Sequence, residues 1–277
     1  MTNQNREGTF QGANGLKLYY QSWHPQALAR AVLVIVPGIG GHSGIFTKMV
    51  KYLIERNYIV YCFDLRGNGR SPGQRGYINS WAEFRADLKA FLNLVKTKEP
   101  EFPLFLIGQS MGGTIALDYV LREPDRLQGL ILMAPGLGLG VSPWKLWLGK
   151  LLSRILPHFA LDTGIDLSAS SRDPEVVAVF ARDPLRHSQG TARLATEFLQ
   201  TIDWIKAHGT ELQVPLFILH GGADRVTLPE GSRIFFERLT LADKEIREYP
   251  DSYHELHNDL NYQEVLADIE DWINRHL

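Results

Sequence analysis

The stretch Leu104-Phe105-Leu106-Ile107-Gly108-Gln109-Ser110-Met111-Gly112-Gly113 decides how this chain is read. Its first four residues are a short continuous apolar run, the pattern of a strand buried on both faces. From Met111 to Arg122, residues Ile115, Ala116, Leu117, Tyr119, Val120 and Leu121 recur at helical spacing. Between strand and helix lies G-x-S-x-G. The pattern alone is weak, because Gly and Ser are common and can mark an ordinary tight turn. In this context it describes a sharp elbow that lifts a serine hydroxyl above a sheet, beside the unsatisfied N–H groups of a helix start. Ser110 is therefore the candidate nucleophile.

Outward from this elbow, apolar runs alternate with helical patterns. Residues 16–23, 31–36, 59–63, 104–107, 129–133, 216–219 and 245–249 are expected strands. Residues 45–55, 80–96, 111–122, 229–239 and 263–276 are expected helices. Such alternation implies an α/β fold, with a mostly parallel sheet covered by helices on both faces. The section 136–209 breaks it, with helical patterns, turn signals and no convincing strand. It is expected to be a helical cap, residues 136–209, inserted into a core domain of residues 1–135 and 210–277. The plainer alternative is that these helices merely cover the sheet.

A nucleophilic serine needs a base, a carboxylate to orient that base, and donors for the oxyanion. After the run 216–219 comes His220-Gly221-Gly222-Ala223-Asp224, which puts Asp224 in a turn beyond a strand's carboxyl end, where ligands gather in open α/β sheets. After 245–249 comes Pro250-Asp251-Ser252-Tyr253-His254, which puts His254 in the matching loop. The order Ser110, Asp224, His254 is the one such elbows use. Backbone donors are expected from Met111 and, in the loop Pro37-Gly38-Ile39-Gly40-Gly41-His42, from Ile39. Each is worth roughly 3–4 kcal/mol to a developing oxyanion. His220, His257 and His42 read as structural, although His220 is expected near the reacting set. Asp251 is too close to His254 in sequence to support its ring. Asp64-Leu65-Arg66-Gly67-Asn68-Gly69-Arg70-Ser71 reads as a scaffold turn.

Composition narrows the remaining classes. The 277 residues are 44% hydrophobic and 22% charged, globular values for a chain long enough to need no covalent staples. A formal charge of −2 without a basic stripe argues against nucleic acid. The single cysteine, Cys62, lies in an apolar run and reads as a small buried strand residue. It allows no intrachain disulfide, in keeping with a reducing compartment. MTNQNREGTF holds no apolar leader, and no run of about 18 apolar residues occurs, so neither signal peptide nor membrane span is expected. The expected location is cytoplasmic, with peripheral contact at membranes left open. No zinc-ligand spacing or phosphate loop is present, so no cofactor and no metal is expected.

These motifs resemble those of a known family. The loop 37–43, the turn 64–71, Gly108-Gln109-Ser110-Met111-Gly112-Gly113, Ala223-Asp224 and Tyr253-His254-Glu255-Leu256-His257 are similar to the monoacylglycerol lipase / lysophospholipase group, a serine aminopeptidase-like branch of the α/β-hydrolases. Ser171-Arg172-Asp173-Pro174-Glu175-Val176-Val177 and Asp183-Pro184-Leu185 extend the resemblance into the cap, so that it covers about residues 8–277. It implies the α/β-hydrolase fold, the triad Ser110, Asp224 and His254, the donors Ile39 and Met111, and hydrolysis of a single-chain lipid ester. One departure stands out: relatives often carry His where this loop begins with Pro37.

Alternatives are another carboxylesterase or small-peptide hydrolase on this fold, or a binding protein without turnover. Epoxide and haloalkane hydrolysis would want Asp at the elbow. In residues 143–157, Trp144, Trp147, Leu148, Leu151, Leu152, Ile155 and Leu156 fall on one broad helical arc, with Lys150 and Ser153 opposite. That arc is expected to form a lid, with Leu148, Leu151, Leu152 and Ile155 touching substrate. It also suits a helix resting on a lipid surface. The simpler alternative is that it packs wholly on other cap helices.

Overall fold

The continuous apolar runs form the centre of one sheet. In the computed structural model, which describes residues 4–123, 127–138 and 143–277, β1 (Gln4–Gln11) and β2 (Lys17–His24) open the chain as an antiparallel hairpin. There follow β3 (Ala31–Val36), α1 (Thr47–Ile54), β4 (Tyr58–Phe63), α2 (Trp81–Lys98), β5 (Leu104–Gln109), α3 (Met111–Arg122) and β6 (Gly129–Met133). Next come α4 (Pro143–Ile155), β7 (Ala160–Asp162), α5 (Pro174–Arg182), β8 (Gln189–Thr191) and α6 (Ala192–His208). β9 (Leu216–Gly221), α7 (Pro229–Arg238), β10 (Lys244–Tyr249) and α8 (Tyr262–Arg275) complete the order.

The main sheet runs β1-β2-β4-β3-β5-β6-β9-β10, and all pairs from β4 to β10 are parallel. Strands β3, β4, β5, β6 and β9 are buried at every position. Alternate side chains serve opposite layers, as the period of two requires. Val32, Val34 and Val36 pack with Phe84, Phe91 and Ile115, from α2 and α3. Leu33 and Ile35 pack with Met49, Leu53, Ile269 and Trp272, from α1 and α8. Helices on both faces and an insertion after β6 make this the α/β-hydrolase fold with a helical cap.

Three strands depart from the sequence expectation. β1 pairs with β2 along its whole length, although QNREGTFQ shows no apolar alternation. Backbone hydrogen bonds hold this edge strand, and Phe10 is the buried hydrophobe in it. Within the cap, β7 and β8 form a small antiparallel pair where no strand was expected. Three residues are too few for a period to show.

The cap is fastened to the core at several points. α4 packs on α6, and α6 on α3. The segment after α5 grips the loop that follows β3. His42 Nε2 lies 2.8 Å from Asp183 Oδ2, and the His187 N–H donates to the Gly40 carbonyl at 3.3 Å. The His187 ring also meets Asn68 Oδ1. Gly40 has φ +68°, and a Cβ there would collide with the His187 carbonyl oxygen, so this grip requires glycine. At the other end of the cap, the Glu255 N–H donates to Ser170 O at 2.8 Å and Arg172 Nε donates to Asp259 at 3.0 Å.

Candidate active site

Ser110 stands between β5 and α3 with φ +56° and ψ −124°, a strained conformation for a residue with a Cβ. The strain is held by its surroundings. The Ser110 N–H donates to Met133 O, and its carbonyl accepts from Gly113, Thr114 and Gly136. The elbow also needs a bare backbone at Gly112, where a Cβ would run into the carbonyl oxygens of Val36 and Pro37. That approach presses the start of α3 against the end of β3. It thereby brings the loop 37–42 beside Ser110. The Gly38 N–H donates to the Gln109 side-chain oxygen at 3.1 Å. Ile39 lines the same cavity as Ser110. Met111 opens α3, so its N–H has no carbonyl one turn earlier to bond.

Asp224 and His254 come from the turns after β9 and β10, next to the elbow at the carboxyl end of the sheet. His254 Nδ1 lies 2.7 Å from Asp224 Oδ2. An ionised carboxylate only accepts, so the proton sits on Nδ1 and Nε2 keeps its lone pair. The Gln109 amide nitrogen is 3.4 Å from that Nε2. Asp224 is otherwise well supplied with donors. Val226 N–H and Thr227 N–H reach Oδ1 at 2.7 and 3.0 Å, and the Thr227 hydroxyl reaches Oδ2 at 3.0 Å. Burial alone would raise this carboxyl, but the hydrogen bonds of His220 and His254 hold it well below the usual range. It stays ionised wherever the protein is folded near neutrality.

Ser110 and His254 share a cavity of about 240 Å³. Ile39, Ile45, Ile165, Leu167 and Phe180 form much of its apolar wall. Asp183, Arg186, His187 and Glu255 make one side of it polar. Arg186 is paired with Glu255 at 2.8 Å and lies over the Phe180 ring. Burial would raise Glu255, but the Arg186 charge carries it below the usual carboxylate range.

Residues 27–261 match the family described as "Serine aminopeptidase, S33" (Hydrolase_4). The chain belongs to that family. It is 31% identical over 274 residues to the monoacylglycerol lipase of Mycolicibacterium smegmatis, covering 98% of each chain. The caffeoylshikimate esterase of Arabidopsis thaliana is 31% identical across 98% of this chain and 86% of its own length. Among solved structures, Paleococcus ferrophilus monoacylglycerol lipase superposes with a TM-score of 0.83 at 30% identity, covering 94% of this chain and 99% of that one. The motif resemblance to monoacylglycerol lipases and lysophospholipases thus holds along the chain.

In this serine aminopeptidase-family chain the cap meets the cavity through other residues than those expected. Leu151, Leu152 and Ile155 do not line it, and the Leu148 side chain lies outside the described residues. Ser153, expected opposite the apolar arc, is buried, whereas Leu151 and Ile155 are exposed. α4 packs on α6, and among its described side chains Ser153 is covered while Leu151 and Ile155 face solvent. Sequence reasoning also missed Thr227, Gln109 and the wall of 163–188, which meet only after the loops fold. His257 is fully buried and stacked on Phe46 at 4.5 Å, with no hydrogen-bond partner for either ring nitrogen among the described residues, although Glu255 Oε2 lies 3.9 Å from Nε2. Burial pushes it down to about 4. His42 fastens the cap, and Asp64 accepts from the N–H groups of Ser43 and Arg70, so the turn 64–71 is scaffold. Cys62 is buried in β4, and burial raises its thiol well above the ordinary value. No three His, Cys, Asp or Glu side chains among the described residues gather as metal ligands. No helix among them is long and apolar enough to cross a membrane.

Proposed function

We propose that this chain is a serine carboxylic-ester hydrolase acting on single-chain lipid esters, monoacylglycerols or lysophospholipids. The observation that carries the reading is the 2.7 Å His254–Asp224 hydrogen bond on a ring that shares one cavity with the strained Ser110. In this reading His254 Nε2 takes the Ser110 proton as Oγ attacks the acyl carbonyl. Asp224 stabilises the imidazolium without accepting its proton. The N–H groups of Ile39 and Met111 bind the oxyanion. The tetrahedral intermediate collapses, His254 gives its proton to the leaving alkoxide, and an acyl-enzyme remains on Ser110. Water, deprotonated by the same ring, then releases the fatty acid and restores the hydroxyl. No cofactor takes part.

We take residues 136–209 as the cap that shapes the substrate cavity. The apolar wall of Ile165, Leu167 and Phe180 supports an acyl chain as the group received. On the outer surface Leu151, Ile155, Leu156, Phe159 and Leu161 are exposed, with Lys150 and Arg154 beside them. That combination supports peripheral contact with a lipid surface. Names carried by the relatives favour the monoacylglycerol over other esters.

The test has two parts. A fluorophosphonate probe should label the wild type and fail on Ser110→Ala. A hydrolysis screen should then rank monoacylglycerols and lysophospholipids above short p-nitrophenyl esters, a hydroxycinnamoyl ester and aminoacyl amides. Absence of labelling would favour a binding protein. Labelling with aminoacyl amides ranked first would favour a peptidase.

A further inference from the structure

His220 is a buried titratable group that the reaction above does not use. It ends β9 just before the Asp224 turn and is 1% exposed. Its Nε2 lies 2.9 Å from the Thr227 carbonyl oxygen and 3.2 Å from Asp224 Oδ2. Both are acceptors, so Nε2 must carry a proton. Its Nδ1 lies 2.8 Å from Ser232 Oγ, a fully buried hydroxyl on α7. A neutral ring protonated at Nε2 has a lone pair at Nδ1, and Ser232 donates to it. The opposite tautomer would set an Nε2 lone pair against two acceptors. The two acceptors at Nε2 therefore select the tautomer, and the Ser232 hydroxyl, which can donate as well as accept, completes it by donating to Nδ1.

The oxygen His220 reaches is also the one that faces His254 Nδ1. Asp224 Oδ1 is fixed by two backbone N–H groups of its own turn, whereas Oδ2 accepts from the Thr227 hydroxyl and lies 3.2 Å from His220 Nε2. From β10, Glu248 is the carboxylate whose charge acts on the same region, and Arg233 holds it at 2.7 Å. It does not compete for the Nε2 proton.

We propose that His220, held in place by the Ser232 hydroxyl, is a positioning residue: its Nε2–H, bonded to the Thr227 carbonyl and 3.2 Å from Asp224 Oδ2, braces the Asp224 turn where His254 needs it. The proposal rests on the reading of Ser110, Asp224 and His254 as the reacting set. A polar contact that steadies a charged group in this way corresponds to roughly 10- to 100-fold in rate if it acts mainly in the transition state.

The test compares wild type, His220→Gln, His220→Leu and Ser232→Ala on one soluble ester. His220→Leu should lower kcat about 10- to 100-fold with KM nearly unchanged. Deprived of that donor, the Asp224 carboxylate concentrates its charge on His254, so the acid limb of kcat/KM should move to higher pH. His220→Gln keeps an N–H of similar reach and should recover most of the rate. Ser232→Ala should fall between wild type and His220→Leu. The downfield proton resonance of the His254–Asp224 hydrogen bond, seen by NMR in each folded variant, should shift in His220→Leu and return towards wild type in His220→Gln. Wild-type kcat and an unmoved acid limb in His220→Leu would overturn the proposal. So would a fall in kcat that leaves acid limb and resonance unmoved, because that marks a merely structural histidine. If His220→Leu does not fold, His220→Gln and Ser232→Ala decide. Rates near wild type for His220→Gln with a fall for Ser232→Ala support the proposal, and no fall for Ser232→Ala overturns it. An inactive wild type that no fluorophosphonate labels would instead sink the underlying reading of the site.

Discussion

At the scale of single residues, Ser110 trades stability for placement. A side chain held at φ +56° costs about 1–3 kcal/mol. Ser110→Gly should therefore abolish turnover and raise the unfolding free energy by about 1 kcal/mol, read from urea midpoints, whereas Ser110→Ala abolishes turnover without that gain. His254→Ala should lose several orders of magnitude and Asp224→Asn roughly 10⁴-fold. In the wild type, kcat/KM should fall on the acid side through one titration, because a protonated ring cannot accept the Ser110 proton. A flat profile down to about pH 4 in folded protein would remove His254 from the role of base.

At the scale of elements, the close approach of α3 to β3 through Gly112 sets the geometry of the site. Gly112→Ala must push the helix off the strand end, moving Ser110 and the Met111 N–H from the loop of Ile39. Activity should drop at least about 100-fold, the loss seen when one oxyanion donor goes, and the melting temperature should fall with it. The cap surface behaves differently. Ile155→Asp or Phe159→Asp alters exposed side chains only, so melting temperature and short-ester hydrolysis should stay near wild type. Liposome binding and long-chain hydrolysis should weaken together. Equal loss on both substrates would argue against a lipid-facing surface.

The same two regions show what a sequence can carry. The five central strands and the loops bearing Ser110, Asp224 and His254 are legible because continuous apolar runs and turn residues are local signals. The wall of the cavity is not, because Ile165, Phe180 and Arg186 come from separate turns of the cap that only packing brings together. Nor is β1, held by backbone pairing under polar side chains, or the orientation of α4, where seven apolar residues on one arc do not say which edge is covered.

At the scale of the whole molecule, two neutral histidines make stability depend on pH. Burial is the main cause that pushes both His187 and His257 from 6.5 down to about 4, with the Arg75 charge adding to it at His187. Between those values the unfolded chain binds protons that the folded chain refuses. Stability should thus be complete above about pH 6.5 and decline towards pH 4, by at most about 1.4 kcal/mol per pH unit for each histidine. His257→Phe keeps the stack on Phe46 and removes two ring nitrogens that have no hydrogen-bond partner among the described residues. It should raise stability at pH 5 more than at pH 7.5, measured by denaturant titration at both. The grip of the cap on the loop after β3 has a further consequence. Gly40 and His187 share one backbone contact, so the two segments are a matched set although they are 147 positions apart (from 40 to 187). A chimera that grafts a foreign cap onto this core inherits a loop shaped for the wrong lock. It should recover an aligned oxyanion loop only when residues 37–42 are transplanted from the same donor.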